Sequence, residues 1–128
     1  MIVVDTSALL AILFEEAEKA RFIDRIARAE PPILPAPVYV EVALRVEHGE
    51  DVGHSLGLDT LIPDLELVIA PFTEEHAFEA REAFRRFGKG RHGLNFGDCM
   101  VYAVAKLADA PLLYKGEDFA RTDIRPVL

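Results

Sequence analysis

This chain has a single thiol, Cys99. One cysteine excludes an internal disulfide and any Cys-based metal site, and it suits a reducing cytoplasm. No apolar run approaches the roughly 20 residues of a membrane span, so none is expected. No basic region precedes the opening apolar run, and Asp5 interrupts that run early, so no signal peptide is expected. The histidines (His48, His54, His76, His92) lack the spacing of a zinc site. There is no internal repeat, low-complexity tract or linker. Basic residues are scarce: 14 Lys and Arg against 22 Asp and Glu leave a net charge of −8. Taken alone, that balance argues against nucleic-acid binding, because neutralising phosphates takes a basic face.

The basic charge that does exist is concentrated. Residues 81–92 (REAFRRFGKGRH) carry Arg81, Arg85, Arg86, Lys89 and Arg91 against Glu82 alone. An acidic protein with clustered carboxylates needs metal cations to approach a polyanion at all. The 128 residues, half of them apolar, are enough for one domain with a real core, residues 1–128, and too few for two.

The pattern alternates strands and helices. Met1–Val4 is apolar and β-branched, and reads as a strand over 2–5 that ends on Asp5. Helical segments follow over 7–14 and 17–29, the second with Ala20, Phe22, Ile23, Ile26 and Ala27 along one side. Pro31-Pro32 stops it, and Ile33-Leu34 is a short strand between prolines. Residues 38–48 are helical behind Pro37. A helix over 55–63 is weakened by Gly53, Gly57 and Pro63. Leu67–Ala70 is a strand, and Thr73 caps a helix running to Phe87. Gly88–Gly93 is a loop, Phe96–Ala108 a helix, Leu112–Tyr114 a strand, and Ile124–Leu128 a last short one. Such alternation indicates a short, mostly parallel sheet covered by helices on both faces.

Four acids sit where such a sheet keeps its ligands. Asp5 ends the first strand at the carboxyl edge; taken alone, helix capping is the better explanation of it. Ser7, two residues on, can bond a phosphate or remain an ordinary first-turn residue. Glu41 lies in PVYVEVALRVEH, apolar on both sides, which points to partial burial and a need for a partner. Glu47 and Glu50 read as surface. Asp98 stands three residues after Asn95, a capping box with Asp in place of Glu, at a loop-to-helix junction. Cys99 beside it reads as a small core residue. Glu117, Asp118 and Asp123 follow an apolar strand, at the same edge as Asp5 if the strands are parallel. Carboxylates brought together repel unless protonated or bound to cations, and hard oxygen donors select Mg²⁺ or Mn²⁺. Sites of that type hydrolyse phosphodiesters.

Together VVDTSALLAIL, the isolated Glu41 after PAPVYVEVA, FRRFGKGRHGLNFGDCMVYAVAK and PLLYKGEDFARTDI resemble a PIN domain over essentially the whole chain. Specifically they resemble the VapC toxins of bacterial type II toxin–antitoxin pairs. The resemblance implies a PIN-like three-layer sandwich and a Mg²⁺-dependent endoribonuclease, with Mn²⁺ as the other candidate ion. It implies a cytoplasmic toxin, a homodimer, an RNA substrate and silencing by a VapB-type antitoxin. It maps an acid tetrad onto Asp5, Glu41, Asp98 and one of Glu117, Asp118 and Asp123, with Asp118 preferred. Asp5 and Asp98 would ligate the metal, and Ser7, Lys89 and Arg91 would touch the substrate. In one place the chain departs from the pattern: only Gly93 separates His92 from Leu94, where related sequences carry a longer loop.

Two other readings are weighed against this one. A phospho-aspartate phosphatase of the haloacid dehalogenase type carries a second Asp two positions after the first, and here that position is Ser7. A catalytically silent PIN-like module that only binds a protein or RNA is disfavoured because all four candidate acids are present.

Overall fold

A computed structural model of the chain describes residues 1–49, 51–90 and 92–128. Arg91, expected at the RNA, and Glu50, expected at the surface, lie outside the described residues.

Four strands form one parallel sheet: β1 (Ile2–Val4), β2 (Pro32–Pro35), β3 (Val68–Ala70) and β4 (Leu112–Leu113), in the order β3-β2-β1-β4. Val3 pairs with Ile33 on one side and Leu112 on the other. Val3 and Val4 are wholly buried, which is why β1 reads as a continuous apolar run rather than an alternating one. The prolines of β2 stand at its first and last positions, where a missing N–H costs the ladder least.

Six helices complete the fold: α1 (Thr6–Leu13), α2 (Lys19–Arg28), α3 (Ala36–His48), α4 (Val52–Asp64), α5 (Glu74–Phe87) and α6 (Phe96–Ala108). The chain steps outward from β1 to β2 and β3, then returns across the sheet to β4 on the far side of β1. Helices α1–α4 pack among themselves and α5 packs on α6, with α3 also meeting α6. The strand order reverses between β1 and β4, the place where open α/β sheets gather ligands.

The helices depend on burial and caps together. In α2, Phe22 and Ile26 are buried and Ile23 half-buried, while Ala20 and Ala27 are exposed. Thr73 caps α5 as expected, and His76 completes the box, its Nδ1 accepting from the Thr73 N–H at 2.9 Å. The α4 helix is longer than 55–63. Asp51 caps it, its carboxylate accepting from the Gly53 N–H at 2.8 Å. Gly53, Gly57 and Pro63 all lie inside it, because Leu58, Leu61 and Ile62 pack into the core and outweigh propensity. The strand expected over 124–128 reduces to a single bridge between Leu112 and Pro126, since Pro126 has no N–H to extend a ladder.

Candidate active site

The buried strand β1 delivers Asp5 to the carboxyl edge of the sheet, where it is the N-cap of α1 and only 7% exposed. Its Oδ2 accepts from the Ser7 N–H at 3.1 Å and from the Ser7 hydroxyl at 2.6 Å. Ser7 Oγ in turn accepts from the Lys115 N–H at 2.9 Å. The hydroxyl is thus a strut joining the start of α1 to the segment after β4, with its one proton committed to Asp5. Burial raises the Asp5 carboxyl above its ordinary range; the Ser7 bonds oppose this and the charge of Glu41 adds to it.

Helix α6 runs back against the strands, so its N-terminus also lies at the carboxyl edge. Asn95 caps it: Asn95 Oδ1 accepts from the Asp98 N–H at 2.8 Å, and Asp98 Oδ2 accepts from the Asn95 N–H at 3.1 Å. This reciprocal box fixes Asp98, which is half-buried. Its carboxyl is pushed up to about 6, chiefly by burial, against the Asn95 bond, with the charges of Asp118, Asp5 and Glu41 adding to the rise. The neighbouring Cys99 is buried and its thiol raised by burial, as befits a core residue.

Glu41 differs from expectation. It is exposed, because α3 buries the stripe Val38, Val42 and Val46, and the flanking Val40 and Leu44 are themselves exposed. Apolar sequence neighbours did not mean an apolar setting. Its carboxylate nevertheless reaches the first turn of α6: a Cβ built on Gly97 would collide with it. Glycine at this position leaves room for Glu41 beside Asp98.

The last acids follow β4. Gly116 takes φ +103, a left-handed conformation that turns the chain out of the strand. Phe119, 2% exposed and packed on Tyr114 at 5.2 Å between ring centres, anchors the next turn. Backbone bonds from Ala120 N–H to Glu117 and from Thr122 N–H to Phe119 close it. Of the three acids left open for the fourth position, only Asp118 is among the charges acting on Asp98. The charge of Glu117 acts on Tyr114 instead. Asp123 is matched: it accepts from Tyr102 OH at 2.5 Å and Lys106 Nζ at 2.7 Å, with Arg86 at 3.6 Å. Those bonds pull its carboxyl down to about 2.

The basic segment divides in two. Arg85 pairs with Glu82 on its own helix, and Arg86 pairs with Asp123 and stacks over Phe87 at 4.7 Å. Lys89 lies beyond the helix end and lines a cavity that Asp118 also lines.

The structure thus brings together Asp5, Glu41, Asp98 and Asp118 from four distant segments. Among the described residues, no three His, Cys, Asp or Glu side chains already surround one point as metal ligands. The donor set still suits a hard dication: it is all carboxylate, and two members have raised pKa values that a cation would relieve.

Three comparisons relate the chain to known proteins. The family described as PIN domain matches residues 2–125. The ribonuclease VapC28 of Mycobacterium tuberculosis is 42% identical over 98% of this chain and 97% of its own length. The ribonuclease VapC30 of the same species is likewise 42% identical, over 98% of this chain and 97% of its own. The crystal structure of VapBC2 from Rickettsia felis, bound to a DNA fragment from its promoter, shares the fold with a TM-score of 0.79 at 16% identity, covering 98% of this chain and 96% of that one.

Proposed function

The chain belongs to the PIN-domain family, and from that premise we propose that it is a Mg²⁺-dependent endoribonuclease, the toxin of a VapBC-type pair. The observation that carries the proposal is the convergence of Asp5 and Asp98, whose carboxyls burial and neighbouring charges raise, with Glu41 and Asp118 among those neighbouring charges at one edge of the sheet. Carboxylates gathered at one edge repel one another, and binding a divalent metal gives such a gathering a purpose.

In this reading Asp5 and Asp98 hold the metal, with Mn²⁺ able to replace Mg²⁺, and Glu41 and Asp118 complete the acidic site. When bound, the ion would supply Lewis acidity for hydrolysis of an RNA phosphodiester by water. The chain's own contribution is preorganisation. Ser7 fixes the Asp5 carboxylate, Asn95 fixes Asp98, and the buried Phe119 fixes the turn that carries Asp118. The whole chain, 1–128, acts as one PIN-like domain in the cytoplasm, as a homodimer silenced by a VapB-type antitoxin. The similarity to VapC ribonucleases supports the activity, and the VapBC structure with the same fold suits the antitoxin partner.

The test is cleavage of single-stranded RNA by the purified protein. Fragments should appear with Mg²⁺, vanish with a chelator and vanish in Asp98→Asn. Cleavage that survives Asp98→Asn would sink the assignment, and no cleavage by the native chain would favour a silent binding module.

A further inference from the structure

We propose that a basic subsite adjoins the acid cluster, in which Lys89, His92 and Arg121 hold the RNA backbone phosphate next to the one being cut. The inference rests on the ribonuclease reading and adds a substrate subsite to it. A cavity of about 340 Å³ opens between the end of α5 and the turn after β4. Lys89 and His92 line it from the loop after α5; Asp118 and Arg121 line it from the turn, some thirty residues further on.

Three features make this a place for an anion. First, neither Lys89 nor Arg121 has a carboxylate within ion-pairing distance among the described residues. The third cation on the wall, Arg86, is already engaged by Asp123 and the Phe87 ring. Second, Asp118 shares the cavity with these cations yet forms no ion pair with them among the described residues, and its charge acts on Asp98. The cavity and the acid cluster therefore meet at Asp118. Third, Arg121 sits on a built turn. Phe119 is buried beneath it, and the Thr122 hydroxyl and N–H both bond the Phe119 carbonyl.

The chemistry follows from charge. A chain of net charge −8 with four clustered acids repels RNA. A nucleic-acid strand carries one charge per nucleotide, so seating one phosphate at the acids presents its neighbour to an adjoining site. A guanidinium and an ammonium beside the acids recognise that neighbour by charge-assisted bonds. Arg85, exposed on the same helix but outside this cavity, has no such role.

The test uses the full-length protein and a fluorescent single-stranded RNA in Mg²⁺. Arg121→Gln and Lys89→Gln should each raise KM about tenfold with kcat nearly unchanged, and each should lower the salt dependence by about one counterion. Arg85→Gln should match the native chain, and thermal unfolding midpoints should agree among all three variants. RNAs carrying one neutral methylphosphonate at each position in turn then locate the contact. One position should weaken native binding while adding no further loss in Arg121→Gln. If the native chain cleaves and no position behaves so, or if Arg85→Gln acts like Arg121→Gln, the subsite is overturned while the ribonuclease reading stands. If the native chain cleaves no RNA with Mg²⁺ or Mn²⁺, both fall together.

Discussion

Asp118 and Asp123 are five residues apart on one segment, yet their charges meet opposite surroundings. Asp123 is matched by Lys106, Tyr102 and Arg86, and its carboxyl is pulled down to about 2. Asp118 has no cation paired to it among the described residues, and it adds to the field that lifts Asp98 to about 6. Under the proposed function, the difference separates a structural acid from a functional one. The structural acid is satisfied within the fold; the functional acid is held by backbone and packing while its charge stays unmatched.

The sharpest break of that contrast is Asp98→Asn. Cleavage should fall by about a hundredfold or more, measured as kcat/KM. The same change should stabilise the fold by about 1 kcal/mol at pH 8 after allowing for solvent screening, read as a higher unfolding midpoint. An asparagine that lowers stability and leaves cleavage within about twofold would place Asp98 with Asp123.

Next in size is the response to metal. Mg²⁺ or Mn²⁺ at about a hundred times its dissociation constant should stabilise the native chain by about 2.7 kcal/mol. Asp98 binds its proton more tightly when folded than when unfolded. Its carboxyl thus favours folding at low pH, and that advantage is lost as pH rises from 3.8 through about 6. Metal competes with this proton, so metal-induced stabilisation should shrink as pH falls below about 6. A stabilisation unchanged between pH 8 and pH 5 would argue against Asp98 as a ligand.

Asp123→Ala tests the other side. Leaving the buried Tyr102 hydroxyl unpaired should cost about 1–2 kcal/mol in urea unfolding while cleavage stays within about twofold. Here the pH sign is reversed. The stabilisation from Asp123 is complete above 3.8 and disappears as pH falls through about 2. The smallest effect is expected for Ser7→Ala, about 1 kcal/mol of stability with a weaker metal midpoint, because Asp5 loses one of its holding bonds. An unchanged metal midpoint would mean that Asp5 needs no strut.

Much of this was legible in the chain. β1 ending at Asp5, Thr73 and Asn95 as caps, and α6 over Phe96–Ala108 follow from local rules, because a cap and an apolar period act within a few residues. The exposure of Glu41 was not legible, since its apolar neighbours Val40 and Leu44 face solvent too. Nor was the length of α4, which tertiary packing extends past two glycines and a proline. The place of Arg121 escaped because nothing local distinguishes it; only the turn anchored by Phe119 puts it beside Lys89.

The sequence by itself determined most of the elements, their alternation and which acids are candidates, since propensity, capping and periodicity are short-range. Tertiary structure alone decided which acids stand together and which are neutralised. Coulomb interaction and desolvation depend on distance in space. Five residues along the chain were enough to carry Asp118 toward Asp98 and Asp123 toward Lys106.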